Sequence, residues 1–177
     1  CLETQPVGCD SNTCHPELSQ LLTASQLPEN IISSYYHFLE NDGKKIGNTL
    51  HEYFENRASY RHITPLIIYN EQTQQVVTIL ANNKQTPPGP GEDGSILSYA
   101  RMGGIDEKFL CSDCYGQLSC SSCAVEVLAG DIENPTPRDE EYDMLDIDEA
   151  KPPTDKTRLS CQACIGESPL VLKIRKA

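Results

Sequence analysis

The sequence predicts an α+β protein, with a small helical extension over residues 1–62 and a sheet-containing domain over 63–177. Three observations carry this. Apolar residues recur at three- and four-residue spacing between Pro16 and Ala58, which lines one face of a helix. From Thr64 the pattern turns to β-branched and alternating runs. Six of the nine cysteines, 111, 114, 120, 123, 161 and 164, fall in the second part alone.

The first fifteen residues hold Cys1, Cys9, Cys14 and His15 in a polar setting. Cys9-x4-Cys14-His15 could be half of a metal site, but no fourth ligand stands nearby, so loose thiols or a local disulfide is the simpler expectation. Pro16-Glu17-Leu18 then opens a short helix. Pro28-Glu29-Asn30 puts a proline and an acid where a first turn prefers them, and Ile31, Ile32, Tyr35, Phe38 and Leu39 line the next helix. Asn41-Asp42-Gly43 is expected to stop it, with Gly43 in the left-handed conformation. Ile46, Leu50, Tyr53 and Phe54 line a further helix, so two amphipathic helices form a hairpin. Helices this short are marginal alone, and their stripes must pack on the second domain or on another protein.

In the second part, residues 65–69 and 75–80 flank the polar turn Asn70-Glu71-Gln72-Thr73, which reads as a β-hairpin. Residues 82–94 carry too much Pro and Gly for regular structure. Ser95 can cap a helix over 96–102 that Gly103-Gly104 ends. A strand is expected over 125–128, a helix opened by a capping box at Thr136-Pro137-Arg138-Asp139, and a last strand over 170–175. Strand, strand, helix, cysteine loop, strand, helix, strand is the order of a β-grasp.

Composition narrows the function. No apolar run approaches the roughly 18 residues of a membrane span. The formal charge of −12 argues against binding a phosphate backbone and suits a basic protein partner. Acids exceed bases in both parts, 8 against 4 in residues 1–62 and 18 against 10 in 63–177. No nucleophile with a partnered base and no phosphate loop is recognisable, so the chain reads as a carrier or accessory subunit rather than an enzyme. It begins at Cys1 rather than methionine, so a leader removed or omitted is expected.

Cys114, Cys120 and Cys123 stand at C-x5-C-x2-C, with 37 residues between Cys123 and Cys161. Each iron of a [2Fe–2S] rhomb takes two thiolates, and such a loop can wrap one. Small residues between the thiols, Gly116, Ser119, Ser121 and Ser122, let backbone N–H groups turn toward the sulfides. Three C-x2-C pairs (111/114, 120/123, 161/164) also allow zinc, although zinc ribbons space two pairs about 15–20 residues apart, far more than the five between Cys114 and Cys120. A Rieske centre needs two histidines, and none follows His62. Nine cysteines is an odd number for a closed disulfide framework.

Leu118-Ser119-Cys120-Ser121-Ser122-Cys123, the acidic run from Asp139 to Asp146, and Thr154 to Gln162 (T-D-K-T-R-L-S-C-Q) resemble the adrenodoxin-type (mitochondrial and bacterial) [2Fe–2S] ferredoxins over about residues 63–177. The x5 spacing separates that family from the plant type, with x4. The chain departs from it at Ala124, where the family usually has histidine, and at Cys111, where it generally has an aromatic residue. The resemblance implies a β-grasp fold, a [2Fe–2S] cluster on Cys114, Cys120, Cys123 and Cys161, and one-electron transfer at low potential in the mitochondrial matrix. It makes Asp139, Glu140, Glu141, Asp143 and Asp146 the docking face for a basic-surfaced reductase or acceptor, with Tyr142 and Leu145 facing inward. Cys111 and Cys164 are expected as small buried hydrophobes. The alternative is a ferredoxin-like subunit that holds a cluster while bridging arms of a large respiratory assembly, complex I, as the helical extension, Ala124 and the Pro/Gly insertion suggest.

Overall fold

The computed structural model describes residues 15–147 and 152–175. Cys1, Cys9 and Cys14, and the Cys9-x4-Cys14 half-site with them, lie outside the described residues, as do Asp148 and Glu149 just after the acidic run. The chain divides into two compact units between Tyr60 and Arg61.

The first unit contains α1 (Pro16–Ala24), α2 (Glu29–Glu40) and α3 (Lys44–Glu55). His15 caps α1, its Nδ1 accepting the Glu17 N–H at 3.2 Å, and Pro16 follows in the first turn. Pro28 is the N-cap of α2. The helices bury most of the residues their periodicity marks, Ile31, Tyr35 and Leu39 on α2 and Leu50, Tyr53 and Phe54 on α3, while Ile32, Phe38 and Ile46 are only half-buried. Gly43 corrects the expectation, since its φ of −99° is not left-handed. A Cβ there would run into the Phe38 ring, which would have to shift to make room.

The second unit is a five-stranded sheet in the order β2-β1-β5-β3-β4, made of β1 (Ile63–Asn70), β2 (Gln75–Asn82), β3 (Ala124–Ala129), β4 (Thr157–Leu159) and β5 (Leu170–Ile174). β1 pairs antiparallel with β2 and parallel with β5, and β3 pairs antiparallel with β5 and with β4. A parallel central pair from the two ends of the domain, flanked by antiparallel strands, is the β-grasp. Asn70 shapes the hairpin turn, its Oδ1 accepting from the backbone N–H of Gln72 and Thr73. α4 (Ile96–Met102) is capped by the Ser95 hydroxyl, which accepts the Ser98 N–H at 3.2 Å. It packs Ile96, Leu97, Tyr99 and Ala100 into a core with Leu66, Ile68, Leu159, Leu170 and Leu172. Two thiols, Cys123 and Cys161, belong to that same core.

Candidate metal centre

The loop from Cys111 to Cys123 joins α4 to β3 and turns through three positive φ angles, Tyr115 (52°), Gly116 (79°) and Leu118 (53°). Two of these carry side chains, so the backbone is held where only its surroundings make it stable. Ser112 and Cys114 carbonyls accept from Tyr115 and Gln117 N–H at 2.8 and 3.1 Å. Arg101 of α4 pins the loop's start, donating to the carbonyls of Ile105 (3.0 Å) and Leu110 (2.6 Å) and to the Ser112 hydroxyl (3.0 Å). The Ser122 hydroxyl accepts the Asp113 N–H at 2.9 Å and lies 3.2 Å from Cys120 Sγ.

Cys161 comes from the turn after β4. The Ser160 N–H donates to the Cys123 carbonyl at 3.1 Å, and Ala124 pairs with Leu159, so strand pairing sets these two thiols side by side. The Pro/Gly insertion closes from above. The Glu92 N–H donates to the Cys161 carbonyl at 2.8 Å, and Gly91, at φ +87°, passes so close that a Cβ would overlap that carbonyl. Gly116 in turn packs against the Gly91 backbone.

The four thiols lie as two pairs. Cys114 lies beside Cys120; burial opposes its ionisation, but the Ser119 N–H, the Cys120 thiol and the Ser119 hydroxyl together hold it below the usual thiol range. The Cys161 thiol, donating to Cys123, is the main cause that brings Cys123 down to about 7, against burial and with help from Ser160. Cys161 is pushed up by the same hydrogen bond, by burial and by the charges of Cys123 and Cys114. Among the described residues no three or more His, Cys, Asp or Glu side chains converge on one point where a single metal ion would sit. Two neighbouring pairs of soft thiolate donors suit a binuclear cluster with two ligands per iron better than one tetrahedral zinc. The Ser160 hydroxyl, fully buried, lies on the Cys123 side of the site and favours the ionised form of that thiol, as a thiolate ligand requires.

The remaining two thiols differ. Both are half-buried rather than buried, which corrects the expectation for Cys111 and Cys164. Cys111 donates to Asp113 Oδ1 at 3.0 Å, and that carboxylate raises its pKa. Burial first, then the charges of Glu133 and Glu92, raise Cys164.

The acidic segment forms α5 (Asp139–Leu145). Asp139, Glu140, Asp143 and Asp146 are exposed. Glu141 is not: it is 1% exposed, its two oxygens bind Arg158 Nε and Nη2 at 2.9 Å each, and Oε1 also accepts the Leu159 N–H at 2.8 Å. Glu141 is therefore a structural anchor and leaves the docking face. Tyr142, 47% exposed, takes the outward place expected of Glu141, while Leu145 is buried as expected. The capping box does not form either, since the N-cap is Arg138 and makes no side-chain cap bond. No signal in one sequence pairs Glu141 with Arg158 or marks Arg101, because each contact depends on the fold.

Residues 80–166 match the family described as the 2Fe-2S iron–sulfur cluster binding domain. Solved structures similar to the chain include the ISC-like [2Fe-2S] ferredoxin FdxB from Pseudomonas putida, with 23% identity, a TM-score of 0.46, and coverage of 64% of this chain and 94% of that one. A ferredoxin from Rhodopseudomonas palustris shows 24% identity and a TM-score of 0.45, over 63% and 95% of the two chains. A mutant of putidaredoxin, an Fe2S2 ferredoxin, shows 19% identity and a TM-score of 0.45, again over 63% and 95%. No curated protein matches. The β-grasp, the paired thiols and the matched segment agree on a 2Fe-2S iron–sulfur cluster binding domain that includes residues 80–166.

Proposed function

We propose that Cys114, Cys120, Cys123 and Cys161 hold the cluster, and that the protein passes single electrons at low potential between basic-surfaced redox partners in the mitochondrial matrix. The observation that carries this reading is the pairing of Cys114 with Cys120 and of Cys123 with Cys161, from segments 37 residues apart. When bound, a [2Fe–2S] cluster supplies a site for one electron. The chain's residues do the rest. The left-handed turns at Tyr115, Gly116 and Leu118 curl the loop's backbone around the thiols. The Ser122 hydroxyl, 3.2 Å from Cys120 Sγ, can donate to it. The exposed acids Asp139, Glu140, Asp143 and Asp146 give α5 a field that steers and orients a cationic partner. No proton-transfer group is needed.

Anaerobic purification should yield a brown protein with iron and acid-labile sulfide, and an EPR signal on reduction. A colourless chain lacking both would sink the proposal.

A second reading, a fixed subunit bridging arms of respiratory complex I, is favoured by the separate helical unit ending at Tyr60. Gel filtration of native extract separates the two. A mobile carrier elutes near its own mass, an assembly subunit with megadalton partners.

A further inference from the structure

Arg138 occupies the N-cap of α5, yet its side chain caps nothing. It forms an ion pair with Glu92 and donates to Gln162 Oε1 at 2.8 Å. Gln162 is buried, and its Nε2 lies 3.1 Å from the Cys161 carbonyl and 3.5 Å from Cys161 Sγ. A guanidinium can only donate, so the amide atom facing it must be the oxygen, and the two amide hydrogens are turned toward Cys161. Were the amide free to turn over, an oxygen lone pair would face the sulfur instead. The Glu92 N–H, which donates to the Cys161 carbonyl, closes a ring of contacts from Arg138 through Gln162 and Cys161 back to Glu92.

We propose that Arg138 is a positioning residue: it fixes the Gln162 amide so that its N–H donates to the sulfur of Cys161, which raises the reduction potential. A donor to a ligand thiolate stabilises the added negative charge of the reduced state. The inference rests on the reading of Cys161 as a ligand.

The test is a double-mutant cycle on the full chain, read by redox titration under EPR, with Arg138→Met, Gln162→Leu and both together. Each single variant should shift the potential to more negative values while iron, sulfide and the shape of the EPR signal stay as in the unmodified protein. In the Gln162→Leu background the Arg138→Met shift should vanish, because Arg138 acts through the amide. An Arg138→Met shift of the same size in both backgrounds would mean that the guanidinium acts by its own charge, and would overturn the inference. So would no shift at all. Gln162→Met, which also lacks the donor, serves the same cycle if the leucine variant loses its cluster. An unmodified chain that binds no iron or sulfide would instead overturn the ligand reading beneath it.

Discussion

The two thiol pairs of the candidate site are chemically alike and physically unlike. Cys114 and Cys120 sit half-buried on a loop shaped by positive φ angles. Cys123 and Cys161 are 0% exposed, in a core shared with Leu159 and Leu172. The outer pair is placed by the loop's own turns and by Ser122 and Arg101, whereas the inner pair is placed by the pairing of β3 with β4. The site is thus a floor belonging to the fold and a rim belonging to the loop. Electrons are expected to cross at the rim, and stability to depend on the floor.

The largest effect should come from the floor. Cys123→Ser or Cys161→Ser is expected to abolish cluster binding, because a buried serine can neither move nor supply a soft donor. Cys120→Ser, on the more accessible rim, should keep a measurable fraction. Cys111→Ser and Cys164→Ser should leave binding unchanged, since Asp113 raises one thiol and burial the other. Iron and sulfide per chain measure all five. Equal losses at Cys120 and Cys161 would erase the distinction between floor and rim.

Next in size is the ion pair behind the floor. Glu141→Ala strands Arg158, 2% exposed, without its two carboxylate bonds and frees the Leu159 N–H next to Ser160 and Cys161. Breaking a buried pair from one side costs about 3–5 kcal/mol. Chemical denaturation should show a loss of that order, and Glu140→Ala, one residue away and exposed, should show about 0.5 kcal/mol or less. If the two variants behave alike, Glu141 is not the anchor its burial implies.

How much of this could be read beforehand follows the same division. The pairing of thiols at the rim was legible, because cysteine spacing and small residues are local properties of the chain. The helices, the hairpin and the last strand were legible too, since their periods of 3.6 and 2 are written over whole elements. The floor's supports were not. β4 is three residues long, too short for any period to register. Glu141 stood among acids that composition marks as solvated, and only the arrival of Arg158 from 17 residues further on withdraws it. Thr136 and Pro137 have the letters of a capping box, but the helix starts after them at Asp139. Gly43 has the residue type of a left-handed stop but takes a φ of −99° and leaves room for the Phe38 ring.

A smaller effect should come from the strap that joins rim to floor. At Gly91 an alanine side chain would meet Cys161 Cβ at 2.8 Å on a backbone with φ of +87°, so both space and conformation oppose it. Gly91→Ala is expected to cost about 1–3 kcal/mol and to speed loss of visible absorbance in the presence of a chelator. Two residues earlier, a Cβ on Gly89 would meet its nearest atom at 3.7 Å, ordinary van der Waals contact. Gly89→Ala should therefore be close to neutral in both measurements. A chelation rate that Gly91→Ala leaves unchanged would mean that the strap covers the site without holding it.

The smallest effect on the fold should come from the exposed face of α5. Asp143→Asn and Asp146→Asn remove charge from solvated side chains, so stability should change by no more than about 0.5 kcal/mol. Their effect belongs to encounter with a partner. Fewer acids weaken a field that salt already screens within about 10 Å at 0.1 M, so association with a cationic redox protein should slow at low salt and the two rates converge as salt rises. Stopped-flow reduction across a salt series reads this directly. A variant as fast as the unmodified protein at low salt would move electron entry away from α5, and leave the half-buried rim of Cys114 and Cys120 to be approached from another side.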